Sequence, residues 1–305
     1  MTQYTLTDEP GAIQKYGMSG HEDFAFRYGW PAKGVGNLSR DPHIFSKPDA
    51  PMVLGVGKNM VASIRHWLLS LKLAEPAGRG EYFVTPFGEK LCGEDGWDPY
   101  LEDPGTLWLL HWQLVRNAQR SGTWHFAFTR WHVDTFTRED LIAAMSMKAI
   151  EQGIKRATAN TIKKDVGTFI RTYAPVQRTR TWTAEDAFSC PLVELGLISR
   201  LDRDLFYFTR GEKRTLPALI FLFALVEYCA NGTDNVRTIT FENLTYGGAS
   251  PGAAFKLTEN PLWELLEDRV IRQYFQVDAT AGQRNIIPTG NKLPSPLSIL
   301  REYYG

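Results

Sequence analysis

A pair of glycines followed by a helical apolar stripe constrains this chain more than any other feature. In Leu54 to Leu73, LGVGKNMVASIRHWLLSLKL, the residues Val56, Met60, Ile64, Trp67 and Leu71 recur at spacings of three or four. They therefore fall on one face of a helix. Lys58, Asn59, Ser63, Arg65 and His66 are left off that stripe. Shortly downstream, GRGEYFVTPFGEKL gives a turn-flanked strand and a further helix start. Helix, tight turn, helix with a polar face and then a β-wing is the order of a winged helix-turn-helix, whose second helix enters the DNA major groove. The expectation is a DNA-handling chain that reads through Lys58 to Leu73. Lys58, Asn59, Ser63, Arg65 and His66, with Arg79 in the wing, are its expected DNA contacts. GVGKN is not a phosphate loop, because Asn59 stands where Ser or Thr is needed and Met52 where the first glycine belongs.

The charge balance limits how such a chain can hold DNA. Its 305 residues carry 34 basic and 34 acidic side chains, so any positive field must be local. From Glu151 to Arg180, the bases Lys155, Arg156, Lys163, Lys164, Arg171, Arg178 and Arg180 stand against Glu151 and Asp165; seven minus two is a local net of +5. Lys155, Arg156, Lys163 and Lys164 are therefore also expected on DNA, with a solvated helix face as the equal alternative. Cys92, Cys190 and Cys229 are odd in number, far apart and without a CxxC pair. That argues against a disulfide framework or a cysteine zinc site and for a reducing cytoplasm. The longest apolar run, Leu216 to Ala230, contains Glu227 and is too short to span a membrane. A buried core helix is expected there, and no membrane partner.

Ser19 to Trp30, SGHEDFAFRYGW, packs His21, Glu22, Asp23 and Arg27 among aromatics. Carboxylates can hold a metal or move a proton, imidazole can serve as base or ligand, and guanidinium can pair with phosphate. These four are the catalytic candidates, with a divalent metal such as magnesium as the expected cofactor. The competing reading, favoured by the pattern alone, is a capped helix start. Ser19 would be its N-cap, Glu22 the capping-box partner and Asp23 a charge on the helix dipole. Pro31 to Pro51 reads as a connector rich in turns.

Three blocks, SGHEDFAFRYGW, LGVGKNMVASIRHW and DPYLEDPGTLWLLHW, resemble the signature blocks of a bacterial family known as domain of unknown function 4007. Its best-known members are the SspB-type proteins of single-strand DNA phosphorothioation clusters. The resemblance runs from about Ser19 to the end of the chain. It implies a nicking endonuclease of a phosphorothioate modification and phage-defence system, acting on double-stranded DNA. The opened strand would let a cysteine desulfurase and an ATP-dependent sulfurtransferase place sulfur in the backbone, with an ATPase of the same cluster and a homodimer as further expectations. The resemblance assigns no catalytic residue. A non-catalytic DNA-binding adaptor or transcriptional regulator, and a protein-interaction scaffold, are the alternatives.

The remaining chain reads as helices with small hairpins. In WDPYLEDPGTLWLLHW, Asp103 caps a helix opened by Pro104, with Leu107, Leu110 and Leu114 on its buried face. Asp98, Glu102 and Asp103 read as turn and cap ahead of a nuclease cluster. His111, His125 and His132 lack the spacing of a helical metal site, although His125 and His132 could share a helix face. TWHFAFTRWH reads as core before base-stacking platform. Thr137 and Asp140 suit a capping box. Thr158 or Asn160 caps a helix with Ile162, Val166, Phe169 and Ile170 on one face, ended by Pro175. Leu197 to Thr209 suggests a hairpin, and Thr238 to Gly290 a strand, helices and a strand pair turning at Thr280 to Gly282, with Arg272 and Arg284 beside it. The expected fold class is mostly α with small β wings, in multiple winged helix-turn-helix-like modules. The expected domains are an N-terminal winged-helix DNA-binding domain at 1–135, a basic helical middle module at 136–180 and a C-terminal α/β winged-helix-like domain at 181–305.

Overall fold

The computed structural model describes residues 15–175, 190–230, 238–280, 283–290 and 293–305. The expected contributions of Arg178 and Arg180, the TWTAED segment and the turn at Ala281 and Gly282 lie outside these residues. The described residues are mostly helical, with three small antiparallel sheets.

The N-terminal part runs α1 (Trp30–Arg40), a 3-10 turn at Ile44–Ser46, α2 (Ala50–Leu54), α3 (Lys58–Ser70), β1 (Ala74–Gly78), β2 (Glu81–Val84) and α4 (Pro86–Cys92). The connector expected after Pro31 is in fact helix α1. Its prolines were read as breakers, but Pro31 occupies the first turn, where no backbone N–H is needed. Gly55 ends α2 in the left-handed conformation at φ 59°, which a side chain would strain. The tight turn between α2 and α3 follows from it. β1 and β2 pair from Ala74↔Val84 to Gly78↔Glu81, and Gly80 at φ 71° makes the tip. The expected order of helix, turn, helix and hairpin is present.

Next come α5 (Pro104–Arg116), α6 (Gly122–Thr129), β3 (Thr135–Thr137), α7 (Arg138–Glu151) and α8 (Ala159–Tyr173). Every residue of α5 from Gly105 to Val115 is buried, so it is the central post of the molecule. Asp103 caps it by accepting from Gly105 N at 2.7 Å. The capping box of α7 forms between Thr137 and Asp140, and Thr158 caps α8. His132 lies beyond the end of α6, so it shares no helix face with His125.

The C-terminal part has a 3-10 turn at Pro191–Leu195, β4 (Ile198–Asp202), β5 (Leu205–Phe208), α9 (Ala218–Ala230), β6 (Ile239–Thr240), α10 (Phe241–Tyr246) and α11 (Pro251–Ala254). It ends with α12 (Glu259–Leu266), α13 (Arg269–Arg272), β7 (Phe275–Thr280), β8 (Gln283–Pro288) and α14 (Pro296–Tyr304). β3 joins β5 and β4 in one sheet, and β6, β8 and β7 form another. β3 thus pairs with β5 far along the chain, and the buried apolar side chains of the described residues form one cluster. α9 is a buried core helix as expected, and no helix among the described residues is long and apolar enough to cross a membrane. α14 returns the end of the chain to α5: Tyr303 donates to Asp103 at 2.7 Å, and the Tyr304 and Thr106 hydroxyls meet at 2.7 Å.

Candidate functional site

Residues 19–23 form no helix. They run as a strap between α3, α6 and α8, with Ser19 at φ 67°, Gly20 at 101°, Glu22 at 47° and Asp23 at 63°. Three of these are side-chain-bearing residues in the left-handed region, each costing on the order of 1–3 kcal/mol unless the surroundings hold it. The expected capping box is therefore absent, because the backbone carries the opposite twist from a helix start.

The clamp is Asp165, buried on α8. Its Oδ1 accepts from Ser19 N at 2.8 Å and from His21 Nε2 at 2.7 Å, and its Oδ2 accepts from the Thr123 hydroxyl of α6 at 2.5 Å. Burial pushes this carboxyl up, but the bonds from His21, Thr123 and Ser19 outweigh it and hold its pKa below the ordinary value. Asp23 N donates to His21 Nδ1 at 3.2 Å. An N–H aimed at Nδ1 makes that nitrogen the acceptor, so Nε2 carries the proton that Asp165 receives. Both ring nitrogens of His21 are thus committed. His66 of α3 packs edge-on against the His21 ring, centroids 5.6 Å apart. Burial, then the neighbouring His21, pushes the His66 pKa down to about 3. A Cβ on Gly20 would stand 2.7 Å from His66 Nδ1, so the strap passes this point only as glycine.

The outer face of the strap is charged. Glu22 and Asp23 are exposed. Asp23 Oδ2 pairs with Lys164 Nζ at 2.7 Å, and Arg171 Nη2 donates to the Asp23 carbonyl at 2.8 Å. Asp23 first, and Glu22 after it, raise the Lys164 pKa. The acidic strap and the basic helix α8, distant in sequence, are one surface. Lys163 is also exposed on α8, and Lys155 and Arg156 are exposed in the turn before it. The four catalytic candidates do not converge. His21 is 2 % exposed and fully bonded, and the Arg27 guanidinium lies over the rings of Phe24 and Trp30 at 5.7 and 5.5 Å.

The residues of α3 and its hairpin differ in exposure. Lys58 and Asn59 are exposed at the start of the helix and Arg79 at the hairpin. Arg65 is half-buried, its guanidinium 5.8 Å from the Tyr82 ring of β2. Ser63 and His66 are buried. The strap packs against His66, while Val56 and Met60, expected in the core, are only partly buried.

Asp98, His111 and His125 are structural. Asp98 is buried and accepts from Glu102 N and Asp103 N at 2.8 and 3.0 Å. His111 bonds Tyr173 Oη and the Ala254 carbonyl, and His125 the Val115 carbonyl. Among the described residues, no group of three or more His, Cys, Asp or Glu is placed to hold a metal. The sequence reading missed Asp165 and Thr123. Asp165 had a signal, since it shares the apolar face of α8 with Ile162 and Phe169; Thr123 had none.

The model of the family described as protein of unknown function, DUF4007, matches residues 18–304. The chain belongs to the DUF4007 family. Two solved structures share the DUF4007 fold seen here. A magnesium ion-bound SspB crystal structure is 32% identical with a TM-score of 0.86, and an SspB crystal structure is 33% identical with a TM-score of 0.85. Each alignment covers 94% of this chain and 88% of the other. No curated protein sequence matches.

Proposed function

We propose that this chain binds double-stranded DNA and nicks it within a phosphorothioate modification and phage-defence system. The observation that carries the reading is the contact of Asp23 with Lys164, which joins exposed carboxylates to a basic helix face. Its DUF4007 membership and its likeness to SspB support it. The α2–α3–β1–β2 unit acts as a winged helix-turn-helix. Lys58, Asn59, Arg65 and Arg79 contact DNA, Arg65 from its place against the hairpin. Lys155, Arg156, Lys163 and Lys164 neutralise phosphates beside the strap.

Cleaving a phosphodiester requires a base for the attacking water and a cation near the phosphate. Glu22 or Asp23 serves as the base, and Lys164 as a cation. His21 is a positioning residue. Its bonds to Asp165 and to Asp23 N set the strap, and it exchanges no proton with substrate. The SspB neighbour with bound magnesium raises the question of a metal. Two adjacent exposed carboxylates suit an ion of the magnesium type, which is commonly held by one or two carboxylates with waters and substrate phosphates completing its shell. Glu22 and Asp23 would hold it in place of the Lys164 ammonium, and the chemistry it supplies is neutralisation of phosphate charge.

The rival reading, a DNA-binding adaptor, is favoured by the full commitment of His21. Supercoiled plasmid with magnesium separates the two. Nicking predicts open circles from the wild type, lost in Glu22→Gln combined with Asp23→Asn while DNA affinity is retained. Plasmid that stays supercoiled, even with the desulfurase, sulfurtransferase and ATPase added, leaves the adaptor.

A further inference from the structure

Arg138, Arg171 and Arg200 come from three elements that chain order keeps apart. Arg138 opens α7 directly after Thr137, which pairs with Leu205 of β5. Arg200 of β4 pairs with Phe206 of the same β5, and its guanidinium stands 4.5 Å from the Phe206 ring centre. Arg171 is exposed on α8, which packs against α7. Sheet register and helix packing thus gather the three side chains around Arg138. Burial first, then the Arg138 charge, lowers the Arg200 pKa. Burial also leads for Arg171, where the Arg138 charge adds to it and Asp23 opposes it.

Little offsets this positive charge. Asp204 is paired with Arg138, but its Oδ1 lies 3.8 Å from Nε, beyond hydrogen-bond reach. The Nε atoms of Arg138 and Arg200 are both buried with no hydrogen-bond partner among the described residues. Arg200 Nη1 donates to the Arg203 carbonyl at 2.6 Å, and Arg171 Nη2 to the Asp23 carbonyl and the Thr168 hydroxyl at 2.8 and 3.0 Å. A guanidinium has five N–H donors, so terminal donors remain on all three. The Arg138 side chain is 40 % exposed, so they can be reached from solvent. Through Arg171 the row runs on to Asp23 and its partner Lys164. A row of cations that spans three elements suits a linear polyanion, whose charges repeat along its length, better than a single small anion. We propose that Arg200, Arg138 and Arg171 form a track for the phosphodiester backbone of a DNA strand and lead that strand onto the strap. Guanidinium forks match the paired non-bridging oxygens of a phosphodiester. The inference rests on the DNA-binding reading above and adds to it the path of the strand towards Glu22 and Asp23.

Fluorescence anisotropy of the full chain with a short labelled duplex, across a range of chloride concentrations, tests the track. Arg138→Gln combined with Arg200→Gln should weaken binding. The slope of log affinity against log salt should become shallower by about 2, close to 0.9 for each lost contact. Arg171 is left in place because it also holds the Asp23 carbonyl. A control pair of equal charge, Arg214→Gln with Arg301→Gln, is exposed and outside the track, and should leave the slope unchanged. If the loss of Arg200 from the Phe206 ring unfolds the hairpin, Arg138→Gln alone carries the test, with a change of about 1. Wild-type binding with an unchanged slope in the arginine variants overturns the track and leaves the DNA reading standing. Equal flattening by the control pair also overturns it, since that is the behaviour of a diffuse field. Wild-type protein that binds no duplex removes the DNA reading and the track with it.

Discussion

Asp165 and Lys256 are both buried ionisable side chains, and they are treated in opposite ways. Asp165 receives three hydrogen bonds, from Ser19, His21 and Thr123, and has a donor for each oxygen. Lys256 has two carbonyls, two aromatic faces and no carboxylate. A buried charge whose partners are complete belongs to the architecture, because every bond it can make is already made. A buried ionisable group without an opposite charge gives up its charge instead, and burial pushes the Lys256 amine well below the usual lysine range. The same test sorts the histidines. His21 and His111 have both nitrogens bonded, whereas His132 stands exposed at the rim of a cleft.

The largest effect should come from acid, because the architectural imidazoles are bonded as neutral groups. Burial pushes His66 and His111 down to about 3 and His125 to about 4, against 6.5 for the free side chain. A folded pKa below the unfolded one means that the unfolded chain takes up protons first as pH falls. Stability is therefore complete above pH 6.5 and declines below it. Between pH 7.5 and 5 each group should remove about 2 kcal/mol, on the order of 6 kcal/mol for the three. Urea denaturation at the two pH values measures this. An unchanged midpoint would mean that these imidazoles are not held neutral.

Replacing the two contrasted residues comes next. Asp165→Ala strands three donors and should cost about 3–5 kcal/mol, as for a buried pair broken on one side. Lys256→Met removes an amine whose charge burial already suppresses, and its stability should stay within about 1 kcal/mol of wild type. Equal losses in the two variants would abolish the distinction between complete and incomplete partners. A smaller loss is expected from Gly20→Ala, where the new methyl meets His66 and φ is 101°. About 1–3 kcal/mol is expected from strain of that kind, read by the same denaturation. A neutral result would show that the strap has room to shift.

The parts of the molecule that local rules govern were readable from residues alone. Caps at Asp103, Thr137 and Thr158, the α3 helix after Gly57 and the hairpin at β4 and β5 all follow from near-neighbour chemistry. What failed was decided by segments far away in the chain. His66 looked like part of a polar flank until Gly20 and His21, more than forty residues earlier, packed against its ring. His21 looked like a base until Asp165, 144 residues later, accepted the hydrogen bond from its Nε2. Lys256 gave no signal, since GGASPGAAFKL says nothing of the end of α6 to which it bonds. The contact of the acidic strap with the basic helix was likewise invisible, although both had been noticed separately.

The smallest effects belong to the outer surface, where charges are exposed and each contributes modestly. If α3 and its hairpin lie on DNA, Lys58→Ala, Arg65→Ala and Arg79→Ala together remove about three phosphate contacts. The plot of log affinity against log salt should then become shallower by about 2–3, close to 0.9 for each contact. The same triple change at Lys155, Arg156 and Lys163 examines the turn before α8 and the start of that helix. Both surfaces act in one footprint if both variants flatten the salt dependence and the sextuple variant flattens it by the sum. If only the α8 variant responds, α3 serves folding alone. The reverse outcome leaves the basic helix as a solvated face that holds the strap, with Lys164 answering Asp23 and no phosphate.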